Sequence, residues 1–559
     1  MAPLTRSYFC GASSTQIIYQ TIGRYFDEIV QVHPDNPALI VRHQGVSWTY
    51  RELQARVDQL ATGLLALNVR PGDRVGIWGP NSSEWVLVQL ATAKIGAVMV
   101  CINPAYRLYE LEYALNKVSC SVLICDVQFK TSDYLGMITT LAPELALSGH
   151  DHLQAAKLPH LRHVVRMGSE HTPGLHNFDD VCHKGGAVEL ELLQALQNQL
   201  KPDDAINIQF MSGTTGNPKG ATLSHCNILN NGFLMGLAMQ LTPSDKLCVP
   251  VPLYHCFGMV MSVLACVSHG ATMVFPGPSF DPEDTLRTVE DESCTALHGV
   301  PTMFITELDH PKFRDFNLSS LRTGIMAGAP CPVEVMKRVI SEMHMESVLI
   351  AYGQTELSPI NHITRPDDSL KRRTETVGRA MPWVEIKIVD QEGHVVPVGE
   401  KGEICTRGYS VMQGYWDDPV KTAETIDASG WLHSGDLATM DECGYVKIVG
   451  RIKDMIIRGG ENIYPREVEE FLYQHPAISE VQVFGIADAK MGEEVCAWIQ
   501  LNAGHALTEQ DVKNYCADQI THFKVPRHIR FVTEYPMTVT GKIQKFVMSE
   551  QMLASLQRQ

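Results

Sequence analysis

Up to about residue 380, short apolar runs alternate with longer segments whose apolar positions recur every three or four residues. The runs DRVGIWGP, AVMVCINP, SVLICD, HVVRMG and TMVF have the length and the β-branched content of buried strands. Between them, SWTYRELQARVDQLATGLLAL puts Leu53, Val57, Leu60 and Leu64 on one helical face. Thr49 with Glu52 three residues later predicts a capping box at its start, each side chain satisfying a freed backbone N–H of the other residue. SSEWVLVQLATAKIG reads as a second helix. Strand and helix in alternation predict α/β layers built on largely parallel sheet. Residues 140–200 carry only a weak pattern and support no assignment.

The texture then changes. VEIKIVD, GEICTRG and GYVKIVGR are short strands separated by glycine-containing turns, so a β-rich subdomain is expected after residue 380. From DMIIRGGENIYP onward a helix, REVEEFLYQHP, and two strands, EVQVFGIAD and EVCAWIQL, predict a small α+β unit. At 559 residues the chain exceeds what one core fills. The expected organisation is a large α/β domain over 1–450, a connection at 451–454, and a smaller domain over 455–559.

Composition narrows the function. A formal net charge of −17 argues against a general nucleic-acid binder, which needs a basic surface. No apolar run approaches the ~20 residues that cross a bilayer. The 15 cysteines form no C-x-x-C pair, and Cys248, Cys256 and Cys266 have no histidine pair to go with them. They read as reduced, mostly buried thiols, not as a metal site. Residues 1–26 hold no Asp or Glu but contain Arg6 and Arg24, a composition shared by mitochondrial transit peptides and short disordered leaders.

Candidate chemistry centres on MSGTTGNPKGATLSH, residues 211–225. Glycines, hydroxyls and a lysine in one short loop are the means to hold phosphate. The loop does not fit G-x-x-x-x-G-K-[ST], because Pro218 stands where that pattern needs glycine. INIQFMS before it and KGATLSH after it both read as extended, so the loop joins two strands instead of feeding a helix.

SGTTGNPKG resembles the signature loop of the adenylate-forming enzymes, which include acyl-CoA synthetases, peptide-synthetase adenylation domains and beetle luciferases. Five further segments match that family's motifs in order: PLYHCFG (252–258), AYGQTE (351–356), HSGDLATM (433–440), GRIKDMIIRGGENIYP (450–465) and TVTGKIQK (538–545). RGGENIYP, GKIQKF, NPAYR and GPNSSEWVLVQLATAKIG are most similar to the mitochondrial medium-chain acyl-CoA ligases, and the resemblance covers nearly the whole chain.

The resemblance implies two half-reactions. A carboxylate attacks the α-phosphorus of ATP and expels pyrophosphate; the thiol of coenzyme A then attacks the acyl carbon and expels AMP. An anion approaching a polyanion needs positive groups to offset repulsion and stabilise the transition state. By resemblance, Lys542 contacts both carboxylate and α-phosphate, and Ser212, Gly213, Thr214, Thr215, Gly216 and Lys219 cradle the other phosphates. Asp436 takes the ribose hydroxyls and Arg451 assists it. Tyr352 stacks on adenine, Gly328 and Ala329 let backbone approach it, and Gly353 is a further ATP-binding position. Glu356 binds Mg²⁺ through the phosphates, a role that suits a hard cation needing one or two carboxylates, and Thr355 beside it is a further catalytic residue. His255 gates the acyl pocket, which GMVMSVLACV lines as a helix with room left by Gly258, Ser262 and Ala265. Lys453 is the hinge about which the small domain turns, withdrawing Lys542 and bringing Gly459 and Gly460 to line a tunnel for coenzyme A. Met211 departs from the family, which has Thr or Ser there in many members.

The basic clusters 371–373 and 523–530 are candidates for the phosphates of coenzyme A. Expected partners are fatty acid, ATP and coenzyme A, with Mg²⁺, no nucleic acid, no transmembrane segment, and at most a second copy of the chain as a homodimer. The resemblance implies a mitochondrial location, with the cytoplasm as the alternative. The competing functions are adenylation of an aromatic or amino acid, and a non-catalytic acyl or nucleotide binder. CFGMVMSVLACV offers no acid to hold an α-amino group, and Lys542, Asp436 and Glu356 are all present.

Overall fold

The computed structural model describes residues 3–147, 153–211, 218–329, 331–459, 461–488, 490–517, 519–538 and 543–556. Its first two-thirds hold two large sheets. One has eight strands in the order His176–Asn177, His163–Arg166, Val122–Cys125, Arg74–Trp78, Val98–Ile102, Ala205–Met211, Lys219–Ser224, Gly414–Tyr415. The first six run parallel; the last two turn antiparallel. The other sheet has nine strands, parallel from Ser347–Gly353 through Thr323–Met326, Ala296–Gly299, Lys246–Cys248 and Thr272–Phe275 to Pro37–Val41. Strands such as Val98–Ile102 are buried at every position, as a parallel strand covered on both faces must be.

The helix Tyr50–Ala66 starts at Thr49 with the capping box that its sequence predicts. The helix Ser83–Ile95 buries every residue but Glu84, so its all-round apolar sequence belongs inside the layers and not on their surface. Each Leu or Val so buried contributes about 1.5–3 kcal/mol.

A third sheet is wholly antiparallel: Tyr8–Cys10, Val384–Val389, Gly402–Gly408, Leu432–Met440 and Val446–Arg451. This is the β-rich region expected after residue 380. Its edge strand corrects one expectation, because residues 3–26 are not a disordered leader. Tyr8 pairs with Lys387, Ser7 is fully buried, and the helix Ile22–Val32 follows directly.

The C-terminal sheet combines Ile456–Arg458, Glu461–Ile463, Ile478–Asp488, Gly492–Leu501 and, parallel to the last, His528–Phe531. Among the described residues its two apolar clusters take none from before Ile456. Lys401 and Lys447 reach across to Glu467 and Glu470 at 2.6 and 3.4 Å. Among the described residues no helix is long and apolar enough to cross a membrane.

Candidate active site

The phosphate loop lies between paired antiparallel strands, with Met211 opposite Lys219. It therefore joins two strands, as its flanking alternation predicts. Ser212, Gly213, Thr214, Thr215 and Gly216 fall outside the described residues, as do Gly460 and Lys542. Lys219 stands at the mouth of the loop as the first residue of its strand.

Three predicted nucleotide residues meet beside it. The Tyr352 hydroxyl donates to Asp436 Oδ2 at 2.7 Å. Asp436 and Arg451 are cross-strand partners, and the Arg451 Nε lies 3.2 Å from Asp436 Oδ1. That contact has ion-pair distance but not hydrogen-bond geometry, for Oδ1 is buried and makes no hydrogen bond among the described residues. A half-satisfied buried carboxylate is expensive unless something completes it. Burial and the Asp436 charge push the Tyr352 hydroxyl well above its usual range, so it stays a donor. Gly328, exposed, and Ala329 follow the strand Thr323–Met326. Gly353 packs closely on the chain, since a Cβ there would sit 1.9 Å from the Pro359 carbonyl oxygen.

Glu356 lies on the short 3-10 turn Thr355–Leu357 and is 6% exposed. Its Oε1 accepts the Tyr415 O–H at 2.7 Å; its Oε2 is buried without a partner among the described residues. Burial raises the proton affinity of this carboxyl, while Tyr415, Lys219 and Arg451 act to lower it. The Lys219 Nζ sits 4.9 Å above the Tyr415 ring. Lys219, Tyr352, Glu356, Asp436 and Arg451 thus form one cluster. Tyr415 belongs to it and was not predicted. Its only mark in the sequence is GYW, a glycine-led aromatic pair in a two-residue strand.

His255 caps the turn Cys256–Gly258, its Nδ1 accepting the Phe257 N–H at 3.1 Å. The next residue, Cys256, lies beside Thr355 and Glu356, which joins the histidine segment to the cluster. GMVMSVLACV is helical and buried, but Met259–Leu264 winds as a π-helix before Ala265–His269 resumes α geometry. Such π-turns are often found at functional sites. The small residues do not leave the expected room. Gly258 packs on the backbone of Pro252 and Leu253, and Ala265 meets Gly232 and Gly236 of the helix His225–Ala238. The Ser262 hydroxyl donates to the Phe257 carbonyl at 3.0 Å and lies 3.0 Å from His298 Nδ1.

The remaining candidates lie outside the cluster or at its rim. Gly459 is exposed in the left-handed region, φ +59°, with its N–H bonded to the Met491 carbonyl at 2.7 Å. Lys453 is exposed on the 3-10 turn Ile452–Asp454. The basic clusters are largely engaged within the protein. Arg372 lies over the Tyr445 ring, Arg373 donates to the Glu346 carbonyl, and Lys524 and Arg527 pair with Glu467 and Glu494.

All 15 cysteines are free thiols and 12 of them are buried. Among the described residues one Cys/His/Glu group has ligand spacing: Glu403, Cys405 and His433. Its members bond to one another and to the chain beside them. Glu403 takes His433 Nδ1 at 2.8 Å and the Gly435 N–H at 2.9 Å, which braces the turn that presents Asp436.

A buried carboxylate, a lysine and an arginine beside a strand-to-strand glycine loop are the equipment of an α/β enzyme that handles a phosphorylated nucleotide. The chain belongs to the AMP-binding enzyme family: that family's profile matches residues 26–416, and the profile of the AMP-binding enzyme C-terminal domain matches 467–542. A Bacillus subtilis (strain 168) protein named as a candidate acyl-CoA synthetase, YngI, is 48% identical over 539 residues, 96% of this chain and 97% of its own. The Danio rerio protein named medium-chain acyl-CoA ligase ACSF2, mitochondrial, is 45% identical over 550 residues, 98% of this chain and 91% of its own. Among solved structures, the anthranilate CoA ligase AuaEII in complex with anthranoyl-AMP superposes with a TM-score of 0.84 at 27% identity, covering 97% of this chain and 99% of that one.

Proposed function

We propose that this protein is an AMP-forming fatty acid–CoA ligase acting on medium-chain acids. What supports the reading most is the single cluster in which Tyr352, Asp436 and Arg451 adjoin Lys219 and the half-partnered Glu356. Relatives at 45–48% identity, named for acyl-CoA synthesis, supply the acid and the thiol.

In this reading the 211–219 loop and Lys219 hold the β- and γ-phosphates, Asp436 takes the ribose hydroxyls, and Tyr352 stands against adenine. The carboxylate oxygen bonds to the α-phosphorus as the bond to pyrophosphate breaks, with Lys542 offsetting charge on both partners. The thiol of coenzyme A then loses its proton, bonds to the acyl carbon and displaces AMP. Thr355 stands beside these phosphates, and His255 separates the nucleotide from the acyl chain. Glu356 fits Mg²⁺ because its Oε2 is buried with no partner among the described residues, and magnesium takes one or two carboxylates together with phosphate oxygens. That cation, when bound, neutralises phosphate charge.

We further place a domain of residues 1–450, a hinge at 451–454 centred on Lys453, and a mobile domain of 455–559. That domain exchanges Lys542 for Gly459 and Gly460 between half-reactions. A mitochondrial location follows the name of the Danio relative. The test is product analysis with ATP, Mg²⁺, coenzyme A, straight-chain acids from acetate to palmitate and a few aromatic acids. Equimolar AMP, pyrophosphate and acyl-CoA with a maximum at C6–C12 support the reading. A maximum at acetate, palmitate or an aromatic acid overturns the chain-length assignment.

A further inference from the structure

The segment that carries Tyr415 is locked to both halves of the phosphate-binding apparatus. The Met412 N–H donates to the Glu356 carbonyl at 2.9 Å, the Gln413 N–H to the Thr222 carbonyl at 3.0 Å, and the Trp416 N–H to the Gly220 carbonyl at 2.7 Å. Tyr415 pairs with Ala221, two residues from Lys219 along the strand that follows the phosphate loop. Its own N–H is held by Thr422 Oγ1 at 2.9 Å. Four main-chain hydrogen bonds therefore fix where this ring stands.

The side chain uses that placement twice. Its hydroxyl ends on Glu356 Oε1 at 2.7 Å, and the Thr425 hydroxyl adjoins the same phenol oxygen. Its ring lies under the Lys219 ammonium at 4.9 Å. A carboxylate held through one oxygen cannot rotate freely, so its other oxygen keeps one heading. That other oxygen, Oε2, is the buried atom with no partner among the described residues. A bond that served only to satisfy a buried acid would leave no such atom in the same group.

We propose that Tyr415 is a positioning residue for adenylation: its phenol orients Glu356 Oε2 toward the nucleotide-bound magnesium, and its ring seats the Lys219 ammonium beside the phosphates. This rests on Glu356 being the carboxylate that meets Mg²⁺. The proposal assigns the two functions to different atoms, so they separate by substitution. Tyr415→Phe removes the hydroxyl and keeps the ring; Tyr415→Leu removes both.

The experiment measures ATP binding by calorimetry across a Mg²⁺ titration, beside pyrophosphate release over the same titration, for wild type, Y415F, Y415L and E356Q. A hydrogen bond to a charged group corresponds to a loss of about tenfold or more. In Y415F the Mg²⁺ concentration giving half-maximal ATP binding rises about tenfold. ATP binding without Mg²⁺ stays within about twofold of wild type, because Lys219 keeps its ring. In Y415L the metal-free binding also weakens, by about three- to tenfold. If Y415L does not fold, Y415F alone decides. A Y415F whose Mg²⁺ midpoints match wild type, whatever its rate, overturns the proposal, and with E356Q displaced it leaves the Glu356 assignment standing. If E356Q itself leaves the Mg²⁺ midpoints unmoved, the assignment of Glu356 falls and the role of Tyr415 falls with it.

Discussion

Replacing Glu356 by glutamine separates a catalytic use of that side chain from a structural one. The group is 6% exposed, with one oxygen on Tyr415 and the other without a partner among the described residues. Burial holds its pKa above the usual 4.5. An acid of this kind binds its proton more readily in the folded protein. Its ionisation therefore weakens the fold as pH rises through the interval from 4.5 to the raised value, and above it the full penalty is present. Glutamine keeps the shape and a carbonyl for the Tyr415 O–H and removes that penalty. The amide NH₂ left at the place of Oε2 costs about 1–3 kcal/mol in return. The two effects oppose each other, so the thermal midpoint at pH 7.5 stays within ~5 °C of wild type. Pyrophosphate release with acid and saturating ATP falls about 10²–10³-fold, as for loss of one preorganised charged group. Scanning calorimetry and a coupled pyrophosphate assay give the two numbers. Wild-type turnover refutes the catalytic assignment, and a midpoint lowered by more than ~5 °C shows that the carboxylate holds the fold instead.

Asp436→Ala removes the ribose acceptors and leaves the Tyr352 hydroxyl without its acceptor; the KM for ATP rises about 10–100-fold in steady-state kinetics, from hydrogen bonds to a charged group. Lys542→Ala lowers formation of acyl-AMP from acid and ATP by about 10²–10³-fold. The same variant converts supplied acyl-AMP and coenzyme A to acyl-CoA within about threefold of wild type, since the withdrawn lysine makes no electrostatic contribution to that step. His225, His298 and His362 are buried, with pKa values held down to about 3 from 6.5. The unfolded chain takes up their protons below pH 6.5 and the folded one does not, so stability declines as pH falls through 6.5 toward 3. Each contributes about 1.4 kcal/mol per pH unit, roughly 4 kcal/mol together one unit below 6.5. A thermal midpoint that does not fall between pH 7.5 and 5.5 contradicts this.

The layers were legible wherever burial dictated period. All-apolar runs became parallel strands, and Thr49 with Glu52 capped the helix that they predict. The loop between Met211 and Lys219 was placed between two strands by alternation alone. What escaped depends on contacts distant in sequence. Tyr415 matters because it reaches Glu356, 59 residues away, and nothing local distinguishes it from a packed aromatic. Gly258 and Ala265 look like space in a one-dimensional pattern, yet Gly258 admits the backbone of Pro252 and Leu253, and the Ala265 backbone itself fills the space at Gly232 and Gly236. The π-turn at Met259–Leu264 has no signature in an apolar run, because hydrophobicity at every position hides the period. The N-terminal segment lacks periodicity because an edge strand of three residues is too short to show one.

The central claim is that one active site makes an acyl-adenylate and then hands the acyl group to a thiol. A single-turnover experiment with α-phosphate-labelled ATP, Mg²⁺ and a C8 acid, quenched before and after coenzyme A is added, tests it directly. Labelled acyl-AMP is expected to accumulate to about one per active site without coenzyme A. Adding coenzyme A then converts it to AMP and acyl-CoA. Acyl-CoA formed with ADP as the nucleotide product, or no adenylate at any time while ATP remains bound, contradicts it.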